Sequence, residues 1–113
     1  MGRDVSITLS VSLHGKELSR ATFDGERPVR IGRAPTNDLV IDNPVISRAH
    51  AIVARSGSAW TISDLGTANG MYANGVRVDI DRGLNDGDRI AIGKFTIQVE
   101  IARDAVAPRV AAA

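Results

Sequence analysis

Residues 5–13 alternate without a break: Val5, Ile7, Leu9, Val11 and Leu13 fall on one parity, Ser6, Thr8, Ser10 and Ser12 on the other. A period of two belongs to an extended strand, whose successive side chains point to opposite faces; a helix would scatter the same residues around its circumference. Such a strand is half-buried. It needs neighbours in a sheet and a second layer over its apolar face.

The rest of the chain supplies both. His14-Gly15 turns the chain and residues 18–23 read as the hairpin partner, closed by Asp24-Gly25. Short apolar runs follow at 29–31, 39–41, 50–55, 60–65, 71–72, 76–78, 89–92 and 95–101. Turn formers separate them: Pro35 with Asn37-Asp38, Asp42-Asn43-Pro44, Ser56-Gly57-Ser58, Asn74-Gly75, Asn85 to Asp88, and Gly93-Lys94. Asn74-Gly75 is the strongest of these as a two-residue hairpin turn. No stretch of eleven residues carries a helical period. Many short strands with frequent turns predict an all-β sandwich or barrel.

At 113 residues the chain suits one domain and one core. The domain is expected over 1–101, with the Ala-, Val- and Pro-containing stretch 102–113 as a disordered tail or linker to a further part of a larger protein. There is no Cys, which excludes disulfide and thiolate chemistry and fits a cytoplasmic setting. The first residues lack the apolar run of a signal peptide, and no run approaches the roughly 18 residues of a membrane span. A net charge of +1 gives no footprint for a nucleic acid. Twelve of the fourteen basic residues are Arg, whose planar fork suits carboxylate or phosphate, although base composition of the gene explains such a bias equally well.

The polar clusters between strands are Gly32-Arg33, Ser47-Arg48-Ala49-His50 and Thr67-Ala68-Asn69-Gly70. Arg33, projected from a strand end by a Gly, could grip an oxyanion with two charge-assisted hydrogen bonds, or sit in a surface ion pair. Ser47 offers a hydroxyl and Arg48 a second cation. His50 opens the strand at 50–55 and shares the parity of Ile52 and Ala54, which predicts a buried hydrogen-bonding role. Asn69 both donates and accepts, as a holder of peptide backbone must, though Asn69-Gly70 also reads as a turn. Thr67 could bond a ligand or its own loop.

Other chemistries find no support. A Ser47–His50 hydrolase lacks an orienting third member and the G-x-S-x-G context. There is no phosphate-binding G-x-x-x-x-G-K-[ST] loop. His14 and His50 are too isolated for zinc. Asp79, Asp81, Asp86 and Asp88 miss the calcium-loop spacing. No catalytic residue, metal or cofactor is expected.

Taken in order, the motifs resemble those of forkhead-associated (FHA) domains. They are Ile31-Gly32-Arg33, Asn37 to Ile41, Ile46-Ser47-Arg48-Ala49-His50-Ala51, Asp64 to Gly75, and Leu84 to Gly93. The resemblance extends over roughly residues 5–101. It implies a twisted two-sheet β-sandwich of about eleven strands (FHA/SMAD-like) whose loops at one end form the ligand site. It implies a phosphothreonine-binding module rather than an enzyme, recruiting phosphorylated proteins for a Ser/Thr kinase or its substrates. By motif position Arg33, Ser47 and Arg48 would meet phosphate, Thr67 would adjoin it, and Asn69 would hold peptide backbone. Gly32, His50 and Gly70 would shape the loops. Val45 would lie where the ligand residue three after the phosphothreonine is selected, unless it only packs the loop. The chain departs from the family at Ala68, where a second hydroxyl is usual. Unless Thr67 compensates through a shift of the loop or Arg48 carries more of the charge, one lost hydrogen bond to a charged group is worth about 1.5–3 kcal/mol, a tenfold or larger loss of affinity. A phospho-independent interaction or oligomerisation module on the same fold is the alternative.

Overall fold

The computed structural model describes residues 5–102. Among them the chain forms eleven strands and no helix. The strands are β1 (Ser6–Leu13), β2 (Lys16–Phe23), β3 (Val29–Gly32), β4 (Leu39–Val40), β5 (Ala51–Ser56), β6 (Ala59–Asp64), β7 (Tyr72–Ala73), β8 (Val76–Arg77), β9 (Arg82–Leu84), β10 (Arg89–Ile92) and β11 (Phe95–Ala102). They build two sheets, ordered β2-β1-β11-β10-β7-β8 and β4-β3-β5-β6-β9. All pairings are antiparallel except β3 with β4.

The alternation in β1 does what its period demands. Ile7, Leu9 and Val11 are buried, as are Ile97 and Val99 on β11 and Ile90 and Ile92 on β10. Across the core, Val29, Ile31, Val53, Trp60 and Ile62 present the inner face of the second sheet. Burying each such side chain contributes about 1.5–3 kcal/mol, so the strands are held chiefly by this shared core.

Two strands differ from expectation. β9 carries no apolar run, because Gly83 interrupts it; it forms because Leu84 pairs opposite Trp60 and completes the core there. β5 starts at Ala51, and its inward residues are Ala51 and Val53, whereas Ile52 and Ala54 are only partly buried. The expected tail is met only at its first residue: β11 runs through Ala102, and 103–113 lies outside the described residues.

β1 and β11 pair over their whole length, from Ser6 opposite Ala102 to Leu13 opposite Phe95. Ser6 and Ala102 therefore share one end of the sandwich. At the other end gather the β3–β4, β4–β5 and β6–β7 loops and the β10–β11 turn. A Cβ added to Gly93 in that turn would come within 3.1 Å of the Val45 side chain.

Candidate functional site

The chain leaves β3 at Gly32 and immediately crosses the segment preceding β5. Arg33 N donates to Ser47 O (3.0 Å) and Ala34 N to Arg48 O (3.3 Å). The crossing is close enough that a Cβ on Gly32 would overlap Arg48 O. Only glycine permits that approach. Asn37 secures it from the far side, its Nδ2 reaching Arg48 O at 2.7 Å and Ala34 O at 2.8 Å. Arg33 Nε donates to Ile46 O (3.1 Å), which fixes the direction of the guanidinium. Asn43 Oδ1 accepts from Val45 N (3.0 Å), and Asn43 O accepts from Ile46 N, so this loop carries its own side-chain brace.

His50 joins the β4–β5 loop, to which it belongs, to the β6–β7 loop. Its ring is fully buried, although it does not lie on the core face of β5. Loop backbone covers it instead. Nδ1 accepts from Ser47 N (3.1 Å) and Nε2 lies 3.0 Å from Gly70 O. Because Nδ1 accepts, the proton sits on Nε2, which then donates to Gly70 O. Gly70 itself has φ +66, a left-handed conformation that other residues adopt only with strain.

The β6–β7 loop is tied by Asp64. Thr67 Oγ1 donates to Asp64 Oδ1 (2.7 Å) and accepts from Gly70 N (3.0 Å), while Thr67 N donates to Asp64 Oδ2 (3.2 Å). The single hydroxyl proton of Thr67 is thus committed within the loop. Asn69 Nδ2 reaches across to Val45 O (3.0 Å) and links the β6–β7 loop to the β4–β5 loop. Ala68 is exposed beside it.

These bonds fold the loop backbones inward and leave a particular set of groups over. Neither Arg33 nor Arg48 has a carboxylate partner among the described residues. The terminal nitrogens of Arg33, the Arg48 guanidinium, the Ser47 hydroxyl and Asn69 Oδ1 have no hydrogen-bond partner among them either. The structure thus brings Gly32, Arg33, Ser47, Arg48, His50, Thr67, Asn69 and Gly70 to one end of the sandwich. Val45 is exposed and lines a cavity of about 550 Å³ with Asn69, Tyr72, Lys94 and Phe95.

Three residues here were not singled out in the sequence. Asn37 and Asp64 brace the loops; the Asp-x-x-Thr spacing from Asp64 to Thr67 was a readable sign. Arg77 pairs opposite Tyr72 in the β7–β8 ladder. A Cβ on Gly70 would lie 2.8 Å from Arg77 Nη2, so the guanidinium rests against Gly70, and its Cζ lies 6.0 Å from the Tyr72 ring centre. The Asn74-Gly75 hairpin register alone places Arg77 there. No group of three or more His, Asp or Glu among the described residues could hold a metal ion. No helix among them is long and apolar enough to cross a membrane.

Two packed sheets with polar loops gathered at one end define a sandwich that carries its chemistry on loops. The chain belongs to the FHA domain family, whose model matches residues 29–93. It is 40% identical over 72 residues to the transcriptional regulatory protein EmbR of Mycobacterium tuberculosis, which covers 62% of this chain and 19% of EmbR. It is 38% identical over 79 residues to the oxoglutarate dehydrogenase inhibitor of Corynebacterium jeikeium, covering 70% of this chain and 54% of that protein. The chain spans less than two thirds of these relatives. A solved structure of M. tuberculosis EmbR in complex with a low-affinity phosphopeptide superposes with a TM-score of 0.72 at 28% identity, over 82% of this chain and 24% of that one.

Proposed function

We propose that this chain is a phosphothreonine-peptide-binding module, acting in the cytoplasm to recruit a phosphorylated protein for a Ser/Thr kinase or its substrates. One observation carries the reading: Arg33, Ser47 and Arg48 stand on loops fixed by inward bonds, and the terminal nitrogens of Arg33, the Ser47 hydroxyl and the Arg48 guanidinium have no partner among the described residues. A phosphate dianion supplies the missing acceptors, and two guanidinium groups supply its counter-charge. Asn69 Oδ1 is left to accept a backbone N–H of the peptide, and Val45 would face a residue three after the phosphothreonine. Membership of the FHA family and the phosphopeptide bound to EmbR support the same ligand class.

Hydrolysis is disfavoured on geometry. The Nδ1 of His50 accepts from the Ser47 backbone N–H and its Nε2 faces Gly70 O, so neither nitrogen serves the Ser47 hydroxyl as a base. Thr67 acts as a loop brace in this reading, since its proton is held by Asp64. The phosphate is then gripped by cations more than by hydroxyls. Ala68, which adds no donor, favours as a second reading a phospho-independent interaction module on the same surface.

Calorimetric titration of phosphothreonine peptides and their unphosphorylated forms separates the two. The wild-type protein is expected to bind only the phosphorylated forms. Truncating Arg33→Ala is expected to cost about 2–5 kcal/mol of binding. Equal binding by both proteins, or of both peptide forms, would overturn the phosphothreonine reading.

A further inference from the structure

The cavity bordered by Val45 and Asn69 does not end there. A second cavity, about 400 Å³, opens along the side of the sandwich where β2 and β4 form the free edges of the two sheets. The two cavities share Leu13, Asn43 and Phe95, so they form one continuous groove leading from the loop end down the open side. Seven large hydrophobic residues are exposed among the described residues, and four of them border this groove: Val45 and Tyr72 in the upper part, Leu18 and Val40 in the lower. These exposed side chains beside one groove are apolar surface that a bound segment would bury.

The strand edges beside the groove narrow the choice of occupant. β2 is bulged, its register with β1 shifting between Val11 and Ser12, and β4 is only two residues long. Neither is a good template for pairing with the strand of a second copy. An occupant must therefore be held by side-chain burial. Lys94 and Asp42 are the charged residues of the lining, one in each part, so the lower groove offers mostly apolar contacts.

We infer that the groove takes an apolar, extended segment of the same phosphorylated partner, continuing from the peptide held at Asn69 past Phe95 to Leu18 and Val40. This rests on the phosphopeptide reading of the loop end and extends the ligand beyond it. Affinity would then depend on apolar residues several positions away from the phosphothreonine, on one side of it only.

The test uses three phosphothreonine peptides with a common short core: the core alone, and the core with six apolar-rich residues added before or after it. Six extended residues reach about 20 Å, enough to pass from the upper to the lower cavity. Titrated against the wild-type protein, one of the two extensions is expected to tighten binding about tenfold, as burial of two partly exposed aliphatic side chains would. The gain should vanish when the added residues are replaced by Ser, and in Leu18→Asp, which is exposed and leaves the core intact. Equal affinity for all three peptides, a gain from both extensions alike, or a gain that survives Leu18→Asp would overturn the inference. Concentration-dependent dimers in light scattering that Leu18→Asp abolishes would assign the groove to a second copy and overturn it too. Binding of the core alone, lost in Arg33→Ala, reports separately on the phosphate site; without it both readings fall.

Discussion

The two ends of the sandwich are knitted by the same kind of bond, side chain to loop backbone, but differ in what they leave unpaired. At the far end Asp88 is buried and saturated. Its Oδ1 accepts from Asn74 Nδ2 (3.0 Å), and its Oδ2 accepts from Arg82 Nη1 (2.8 Å) and Asn85 N (2.9 Å). Its backbone joins β11 at Val99, and Arg89 N is taken by Asn74 Oδ1. There the cation is matched by an anion in the same cluster. At the loop end His50, Thr67, Asp64 and Asn37 do the knitting, and among the described residues Arg33 and Arg48 have no carboxylate partner. A polar cluster that satisfies itself is architecture; one that fixes its backbone and leaves two cations unmatched has room for an anion.

The contrast can be broken from either side. The largest effect on stability is expected from Gly32→Ala. The new methyl would meet Arg48 O across the loop crossing, and relieving it must part β3 from the segment before β5. Overpacking of this kind costs about 3 kcal/mol. Denaturant unfolding should show that loss, and calorimetry should show phosphopeptide affinity lost with it. Unchanged affinity in a folded Gly32→Ala protein would mean the crossing does not set the site.

Asp88→Asn should do the opposite, lowering stability by about 2 kcal/mol while leaving peptide affinity unaltered. Its pH dependence gives a second check. Burial alone would raise the Asp88 carboxyl, but the Asn85 N–H, the Asn74 amide and Arg82 outweigh it and hold the group below the usual carboxylate range. A depressed folded value means that the unfolded chain takes up the proton first as pH falls. Stability from this group is therefore complete above the ordinary value near ~4 and is lost as pH drops through the lower folded value. Acid titration of unfolding should lose that component in Asp88→Asn. An identical acid limb in both proteins would remove Asp88 from the account.

The smallest effect probes the loop end directly. Ala68 is exposed and its backbone is not among the positive-φ positions, so a hydroxyl residue fits without strain. Ala68→Ser should tighten phosphopeptide binding by about 1.5 kcal/mol, the low end for a hydrogen bond to a charged group, with no change in thermal stability. No gain would indicate that residue 68 points away from the phosphate.

Where one physical signal dominated, the fold was legible from the residues. The alternation in β1 and β11 and the Asn74-Gly75 turn needed nothing beyond their own neighbours. β9 was not legible, since Arg82, Gly83 and Leu84 become a strand only by pairing with β6. Burial of His50 was expected, but its parity with Ile52 and Ala54 pointed to the wrong surroundings. What covers it is backbone from its own loop and from the β6–β7 loop, and strand periodicity carries no record of that. For the candidate site, motif order located the residues, yet the commitment of the Thr67 proton to Asp64 depends on a side-chain rotamer that no spacing rule resolves. The groove was invisible for a stronger reason: its walls come from β1, β2, β4, β7, β10, four loops and the start of β11.

The register of β1 against β11 also decides how the domain answers to force. Ser6 and Ala102 leave from the same pole in antiparallel strands. Pulling these two points apart peels the ladder one rung at a time, the weak direction for a sheet. A pull between either point and a ligand seated on the loops at the opposite pole runs along the strands and strains many rungs together. The sandwich would thus hold against tension from a ligand on its loops and unzip under tension along its own chain.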